Sequence, residues 1–181
     1  MRTSTRWAVM MMMALAPAWV KAEVADASAG GFTVKISLRV QAPPDEVYRR
    51  LTQNVGDWWN SEHTYSGSSH NLTIETKARG CFCEKLPNDG SVRHMEVVFV
   101  APGKALGLTG ALGPLQSIAA AGNMGIAFTA ADGGTKLDVT YGVAGYLPAG
   151  MNTWAAPVDA VLTEQFTRLK NFVEHGSPTP K

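Results

Sequence analysis

Hydrophobic and polar residues alternate in several segments of this chain, and the alternation predicts a β-sheet. From Phe32 to Val40 every second residue is apolar, and the residues between are polar. A period of two indicates a strand with one face in the core and the other in water. Similar runs bounded by turn residues predict further strands at residues 72–76, 81–86, 92–101, 106–108, 124–130 and 137–143.

Two other segments have the spacing of helices. Residues 43–46 (Pro-Pro-Asp-Glu) predict a helix start, because proline fits the first turn and acidic side chains suit its positive end. Gly56 is predicted to end that helical region. Within residues 158–173 apolar positions recur every three or four residues, which predicts a long helix that ends at Gly176.

The order of these elements predicts an α+β fold. The sheet would wrap around the long C-terminal helix. Such an arrangement leaves space between helix and sheet, and it predicts a container for an apolar molecule. The composition, 45% hydrophobic and 17% charged, agrees with a folded domain rather than a disordered chain.

The first 22 residues have the features of a secretory signal peptide. Arg2 and Arg6 precede an apolar run from Trp7 to Val20, and a small residue, Ala22, offers a cleavage site. The run is shorter than the roughly 20 residues that span a bilayer, so no integral membrane span is expected after cleavage. The mature protein is therefore predicted to be periplasmic. Residues 23–31 are predicted to be a flexible leader, 32–175 the folded domain and 176–181 a loose tail.

Charge excludes some classes of partner. The chain has 16 basic and 15 acidic residues, and cleavage after Ala22 would leave 13 basic residues and a formal charge of −2. Neither a basic patch nor a basic surplus is available for nucleic acid or an anionic membrane, so neither is expected as a partner.

Four segments resemble the START and polyketide cyclase superfamily, also called SRPBCC. They are residues 42–48 followed by the adjacent tryptophans, 80–84, 112–116 and 158–170, and the resemblance covers about residues 32–175. It implies a helix-grip fold, in which a curved antiparallel sheet wraps around the last helix, two short helices follow the first strand, and a ligand cavity is enclosed. It does not imply one activity, since the superfamily includes lipid carriers, aromatic polyketide cyclases, hormone-binding proteins and activators of a chaperone ATPase.

Aromatic and polar residues near the predicted cavity are the candidate ligand-binding residues. They are Trp58, Trp59, His63, Tyr65, Phe82, Glu84, His94, Gln116, Tyr141 and Trp154. Side chains of adjacent residues diverge, so one tryptophan could lie in the core while the other lines the cavity mouth; alternatively both pack between helix and sheet. Histidines in residues 63–70 lack helical metal-ligand spacing, so neither a metal site nor a cofactor is predicted.

The hairpin around residues 87–90 has two plausible registers. If Leu86 pairs with Ser91, then Glu84 faces Arg93; if Pro87 pairs with Ser91, then Glu84 faces His94. A Glu84–His94 pair that faced the cavity could be a general base with its orienting group. The alternative is a cross-strand charge pair on the solvent face.

Cys81 and Cys83 lie two residues apart on a predicted strand. A regular strand holds their α-carbons about 6.5–7 Å apart, which favours buried free thiols over a bridge. An oxidising compartment would nevertheless favour a strained disulfide, and a metal or reactive site is the third alternative.

Three functions follow as hypotheses. The first is periplasmic binding or transport of a small hydrophobic or amphipathic ligand, such as a lipid or an aromatic compound. The second is an enzyme of the cyclase or dehydratase type, with Glu84, His94 or Tyr141 transferring protons. The third is a co-chaperone-like interaction protein, which export to the periplasm argues against because ATP-driven cytosolic chaperones are absent there.

Overall fold

The computed structural model describes residues 20–179. Residues 1–19, most of the predicted signal peptide, lie outside the described residues. Eight antiparallel strands form one curved sheet in the order β1-β2-β8-β7-β6-β5-β4-β3. The strands are β1 (Val20–Ser28), β2 (Gly31–Val40), β3 (Leu72–Ile74), β4 (Cys81–Lys85), β5 (Ser91–Ala101), β6 (Ala105–Thr109), β7 (Ala119–Ala131) and β8 (Gly134–Tyr146).

Three α-helices accompany the sheet. The short helices α1 (Pro44–Gln53) and α2 (Val55–Trp58) follow β2, and the long helix α3 (Ala155–His175) closes the fold. Helix α3 packs against β1, β2 and both short helices. The predicted α+β helix-grip fold is therefore confirmed. Within residues 20–179, no helix combines the length and the apolar character needed to cross a membrane.

The core lies between the concave face of the sheet and α3. The alternating apolar residues of β2, from Phe32 to Val40, are all buried, and their polar neighbours are not. Leu162, Phe166 and Leu169 bring the apolar stripe of α3 into the same core. The hydrophobic periods of two residues in β2 and about 3.6 residues in α3 thus identify the buried faces correctly.

The predicted flexible leader is a strand. Strand β1 pairs with β2 along its whole length, with Val24 opposite Val34 and Ser28 opposite Gly31. Val20, Ala22 and Val24 alternate with Lys21 and Glu23, but this alternation is short and changes phase at Ala25, where the register with β2 shifts. Backbone hydrogen bonds join this strand to the edge of β2, and Ala22 packs against the core. Cleavage after Ala22 would keep the part of β1 that begins at Glu23.

Gly56 does not end the first helix. Helix α1 ends at Gln53, and Gly56 lies inside α2. A Cβ atom on Gly56 would lie 3.0 Å from the Cα of His70 and 3.1 Å from the carbonyl oxygen of Ser69. The glycine therefore allows the turn at residues 69–71 to approach the helix closely, a packing role that sequence alone does not reveal.

The cysteines form a disulfide, so the expectation of free thiols was wrong. Cys81 and Cys83 are joined within β4, and their Cα atoms are 5.3 Å apart. The register between β4 and β5 shifts between Phe82 and Cys83. The strand is contracted at this irregularity, which brings the two α-carbons within the usual disulfide range.

Candidate functional site: a cavity at the N-terminal end of the long helix

A cavity of about 340 Å³ lies where the N-terminal half of α3, the segment after α2 and the loop after β6 meet. Most of its wall is apolar, and its polar side chains come from the segment after α2 and from β5. The lining residues are Trp59, Glu62, His63, Thr64, Tyr65, His94, Leu112, Gly113, Pro114, Leu115, Trp154, Pro157, Val158, Val161 and Leu162.

Deeper in the core the space is much smaller. A void of about 30 Å³ shares Trp59, Leu112 and Leu162 with the large cavity and is otherwise enclosed by Leu51 and Trp58 of the short helices, by side chains of the sheet and by Phe166. The space between helix and sheet is therefore concentrated towards the start of α3. Further along the helix, Phe166, Leu169 and Phe172 are buried in the core.

A bulge in β5 places His94 on the inner face of the sheet. Phe82 pairs with Met95 and Cys83 pairs with Arg93, so His94 is the extra residue on β5. Both His94 and Met95 are buried, although consecutive strand residues normally face opposite sides. The bulge therefore adds an imidazole to the cavity wall without removing Met95 from the core.

His94 contacts a buried carboxylate. Its Nε2 lies 2.9 Å from Oε2 of Glu84, which is only 1% exposed. The same carboxylate accepts the backbone N–H groups of Tyr65 and Ser66, at 3.1 and 2.5 Å. Burial acts to raise the pKa of Glu84, but the hydrogen bonds from Ser66, Tyr65 and His94 prevail and the pKa is lowered. Glu84 is therefore ionised at neutral pH.

The imidazole of His94 is neutral at neutral pH. Its burial lowers its pKa, and this outweighs the opposing effect of Glu84. The ring stacks on Tyr65 with centroids 5.9 Å apart and lies 5.1 Å from the Phe82 ring. Because ionised Glu84 can only accept, the proton of the neutral ring is on Nε2. Nδ1 is left with a lone pair.

Neither predicted hairpin register is correct. Lys85 pairs with Ser91, and Leu86 and Gly90 close a loop of three residues. In this register Glu84 pairs with Val92, and only the bulge brings His94 to the carboxylate. The alternative of a charge pair on the solvent face was also wrong, since both side chains are buried.

A second glutamate–histidine pair lies at the cavity mouth. His63 Nε2 is 3.2 Å from Oε2 of Glu164 on α3, and both side chains are partly exposed. The nearby backbone is attached to α3 as well, because Asn60 donates its N–H to the buried side chain of Gln165 at 2.8 Å. The segment after α2 is thus hydrogen-bonded to the helix on one side and, through Tyr65, to Glu84 on the other.

The adjacent tryptophans have different environments. Trp58 is 2% exposed, packs against Phe166 and donates its indole N–H to the carbonyl oxygen of Leu51 at 3.3 Å. Trp59 lines the cavity and donates to the carbonyl oxygen of His63 at 3.0 Å. Of the two arrangements considered for this pair, the structure has one tryptophan in the core and the other at the cavity.

The remaining candidates divide between wall and core. His63, Tyr65, His94 and Trp154 line the cavity with Trp59, whereas Phe82 borders the deep void and Glu84 reaches the cavity only through His94. Two candidates, Gln116 and Tyr141, do not line the cavity. Gln116 faces a separate groove, where it donates to the carbonyl oxygen of Arg93, because the 3₁₀ turn Gly113–Ser117 directs it away.

Tyr141 is sealed in the wall rather than presented to a ligand. It is 0% exposed, its hydroxyl donates to the Gly110 carbonyl at 3.2 Å, and it accepts the Leu112 N–H at 3.0 Å. Burial raises the pKa of Tyr141 to about 12. A Cβ on Gly122 would lie 2.7 Å from its ring, so a glycine is required there. The hydroxyl is therefore a structural anchor for the loop at the cavity wall.

Several lining residues were missed by the sequence reasoning. Val158 and Val161 lie on the apolar stripe of α3, and Leu112 and Pro114 lie in the glycine-rich loop after β6. The apolar stripe of α3 begins in the first turns of the helix, ahead of the part that packs in the core. This early part of the stripe was the sequence feature that could have identified Val158 and Val161. Within residues 20–179, no group of three or more His, Cys, Asp or Glu side chains could hold a metal ion.

Comparison with known proteins shows the fold. No family model and no curated protein matches this sequence. A conserved protein of unknown function from Enterococcus faecalis has a TM-score of 0.56 at 20% identity, over 89% of this chain and 80% of its own. An uncharacterised protein from Rhizobium leguminosarum has a TM-score of 0.59 at 17% identity, over 86% of this chain and 98% of its own.

A third similar structure is DynU16, a protein of the dynemicin biosynthetic locus. Its TM-score is 0.55 at 19% identity, and the match covers 81% of this chain and 48% of DynU16. This chain therefore spans about half the length of DynU16. At these identities the similarity concerns the fold and carries no activity from one protein to the other.

Removal of the Tyr141 hydroxyl is expected to destabilise the protein. Tyr141→Phe leaves the Gly110 carbonyl and the Leu112 N–H without their partner, at a cost of about 1–3 kcal/mol in the free energy of unfolding. Urea denaturation measures this cost. Tyr146→Phe is the matched control, since Tyr146 is 72% exposed and its variant should unfold like the wild type. Equal stability of the two variants would contradict the anchoring role.

The His94 site is expected to make stability depend on pH. The pKa of His94 in the folded state is below its ordinary value of 6.5, so the unfolded state binds more protons as the pH falls below that value. The free energy of unfolding should therefore decrease between about pH 7 and about pH 5. Glu84, whose pKa is also lowered, adds a further loss at more acidic pH.

Urea denaturation across this range tests the expectation. His94→Gln should flatten the decrease above about pH 5, while His175→Gln, at an exposed position, should retain it. A wild-type protein that became more stable on mild acidification would show that the sign is wrong.

Proposed function

We propose that this protein binds a small, mostly apolar, ring-containing ligand in the cavity at the start of α3. The single observation that carries the proposal is the cavity itself, about 340 Å³ in volume and lined by Trp59, Trp154 and aliphatic side chains. Pockets of roughly 300–1,000 Å³ with apolar walls and few polar groups are typical of small-molecule sites. A volume near the lower limit of that range favours a ligand of up to three rings.

Aromatic side chains from two parts of the chain line the cavity, which supports a flat ligand. Trp59 and Tyr65 come from the segment after α2, and Trp154 precedes α3. Rings of this size provide large contact areas at low cost in conformational entropy. The helix-grip fold, which the resemblance to START and polyketide cyclase proteins also implies, is compatible with this use.

We propose further that the protein binds its ligand after export to the periplasm. The two arginines followed by the apolar run of residues 7–20 support export, and the disulfide between Cys81 and Cys83 is compatible with an oxidising compartment. Cell fractionation of the native host tests this part separately, and a protein retained in the cytosol with an intact N-terminus would overturn it.

Partial filling of the cavity should weaken ligand binding. The neutral fluorescent probe N-phenyl-1-naphthylamine is expected to bind the wild type, with an increase in fluorescence. Val161→Trp places an indole in the cavity and should weaken probe binding by about tenfold or more, because the bound probe would lose most of its apolar contacts.

The control lies on the same helix. Ala160 is exposed and is absent from the cavity wall, so Ala160→Trp should bind the probe like the wild type. Native mass spectrometry of the purified protein gives a second measurement, since a retained ligand adds a discrete mass. Absence of probe binding to the wild type would overturn the proposal.

A second candidate function is proton transfer, which the buried Glu84–His94 pair favours. Nδ1 of His94 could take a proton from an acidic C–H group of a bound ketone, leaving an enolate, while Glu84 stabilises the resulting imidazolium. The same proton then returns to carbon or is replaced by one from solvent. The geometry is that of a base held by an orienting carboxylate.

Exchange of carbon-bound hydrogen tests this candidate. 2-Tetralone in deuterated water should lose its α-proton NMR signal faster with the protein, and His94→Gln should reduce that acceleration by about 100-fold or more. His175→Gln serves as the control. If the wild type and His94→Gln accelerate exchange equally, His94 is not the base.

A further inference from the structure

We infer that the cavity selects neutral ligands that donate a hydrogen bond, such as a phenol, and rejects carboxylates of the same shape. The inference rests on the proposed function, because it specifies the ligand class of the same cavity. It depends on the tautomer of His94, which the surrounding hydrogen bonds determine.

The carboxylate of Glu84 imposes that tautomer. Both its oxygens accept backbone N–H groups, from Tyr65 and Ser66, and Oε2 also faces His94 Nε2. An ionised carboxylate has no proton to donate, so the nitrogen facing it must carry one. Nε2 is consequently the donor and Nδ1 the acceptor of the neutral ring.

Nδ1 is the free polar atom of this side chain. His94 is 94% buried and lines the cavity. No other described residue donates a hydrogen bond to its Nδ1. This nitrogen is nevertheless not one of the buried, unpaired polar atoms that are closed off from solvent, so a ligand can reach it. A separate groove also has His94 among its lining residues, and there Gln116 donates to the carbonyl oxygens of Arg93 and His94. The imidazole ring stacks on Tyr65, which lines the cavity, and lies beside Phe82, so the ring is part of the cavity wall.

An acceptor in an apolar wall discriminates between ligand groups. A hydroxyl that donates to Nδ1 regains the hydrogen bond lost on leaving water, whereas a carboxylate would place lone pairs against a lone pair. The charges of the wall reinforce this selection. The ionised Glu84 lies behind His94, and Glu62 adds a second acid to the lining, with no lysine or arginine among the lining residues to compensate an anion.

The experiment compares 2-naphthol with 2-naphthoate at neutral pH by isothermal titration calorimetry. The two probes share the ring system and differ in the polar group. The wild type is expected to bind the naphthol at least about tenfold more tightly, because the unpaired carboxylate must be buried against an acceptor. Equal affinities, or tighter binding of the naphthoate, would overturn the inference while leaving binding of N-phenyl-1-naphthylamine, and hence the proposed function, intact.

A direct measurement of the tautomer accompanies the titration. Long-range ¹H–¹⁵N NMR correlations of labelled wild-type protein should show His94 protonated at Nε2 with Nδ1 unprotonated, and naphthol should shift the Nδ1 resonance. This readout does not require any variant to fold. An Nδ1–H tautomer in the free protein would overturn the inference, and failure of all three probes to bind would overturn both the inference and the proposed function.

Two glutamate variants distinguish the effect of the His94 tautomer on ligand selection from the effect of negative charge in the cavity. In Glu84→Gln either the amide oxygen or the amide nitrogen can face Nε2, so the ring proton is no longer fixed on Nε2 and the preference for naphthol should weaken. Glu62→Gln removes an acid from the same cavity without touching His94 and should keep the preference. Loss of the preference in Glu62→Gln alone would show that charge repulsion, not the acceptor on His94, selects the ligand.

Discussion

A buried carboxylate is stable only when its oxygens are hydrogen-bonded, and this requirement organises the cavity around Glu84. The carboxylate ties three separate parts of the chain together: its own strand β4, the segment that provides the N–H groups of Tyr65 and Ser66, and the bulged strand that carries His94. Loss of any one partner would leave charge or polar groups unsatisfied in the interior. The site is therefore determined by hydrogen bonding more than by shape.

Helix α3 has two ends with different packing. At its C-terminal end, Lys170 donates to the Arg39 carbonyl at 2.9 Å and pairs with Glu174, which accepts the Gln41 N–H at 2.7 Å. These bonds attach the helix to the end of β2 and close that side. At the N-terminal end, Trp154 and Val158 face the cavity instead. The same helix thus completes the core and provides one wall of the cavity.

Much of the fold was predictable because buried residues recur at regular intervals along strands and helices. The alternation of β2 and the stripe of α3 identified the faces that are buried, and the helix-grip arrangement followed from the order of elements. Other features were predicted wrongly, among them β1, whose short alternation is interrupted between Val24 and Asp26. Strand β1 is joined to the sheet by backbone bonds, Gly56 lies inside a helix, and the contraction of β4 allows a disulfide between residues two apart.

For the site, the amino-acid sequence by itself determined which residue types were available: aromatic residues near the first helices, one glutamate and one histidine on neighbouring strands, and a tyrosine on β8. Only the tertiary structure decided which of them meet. The bulge at His94 shifts the register by one residue, and a one-residue shift moves a side chain to the opposite face of a sheet. Pairwise geometry of that kind depends on contacts between strands, and local residue patterns do not encode it.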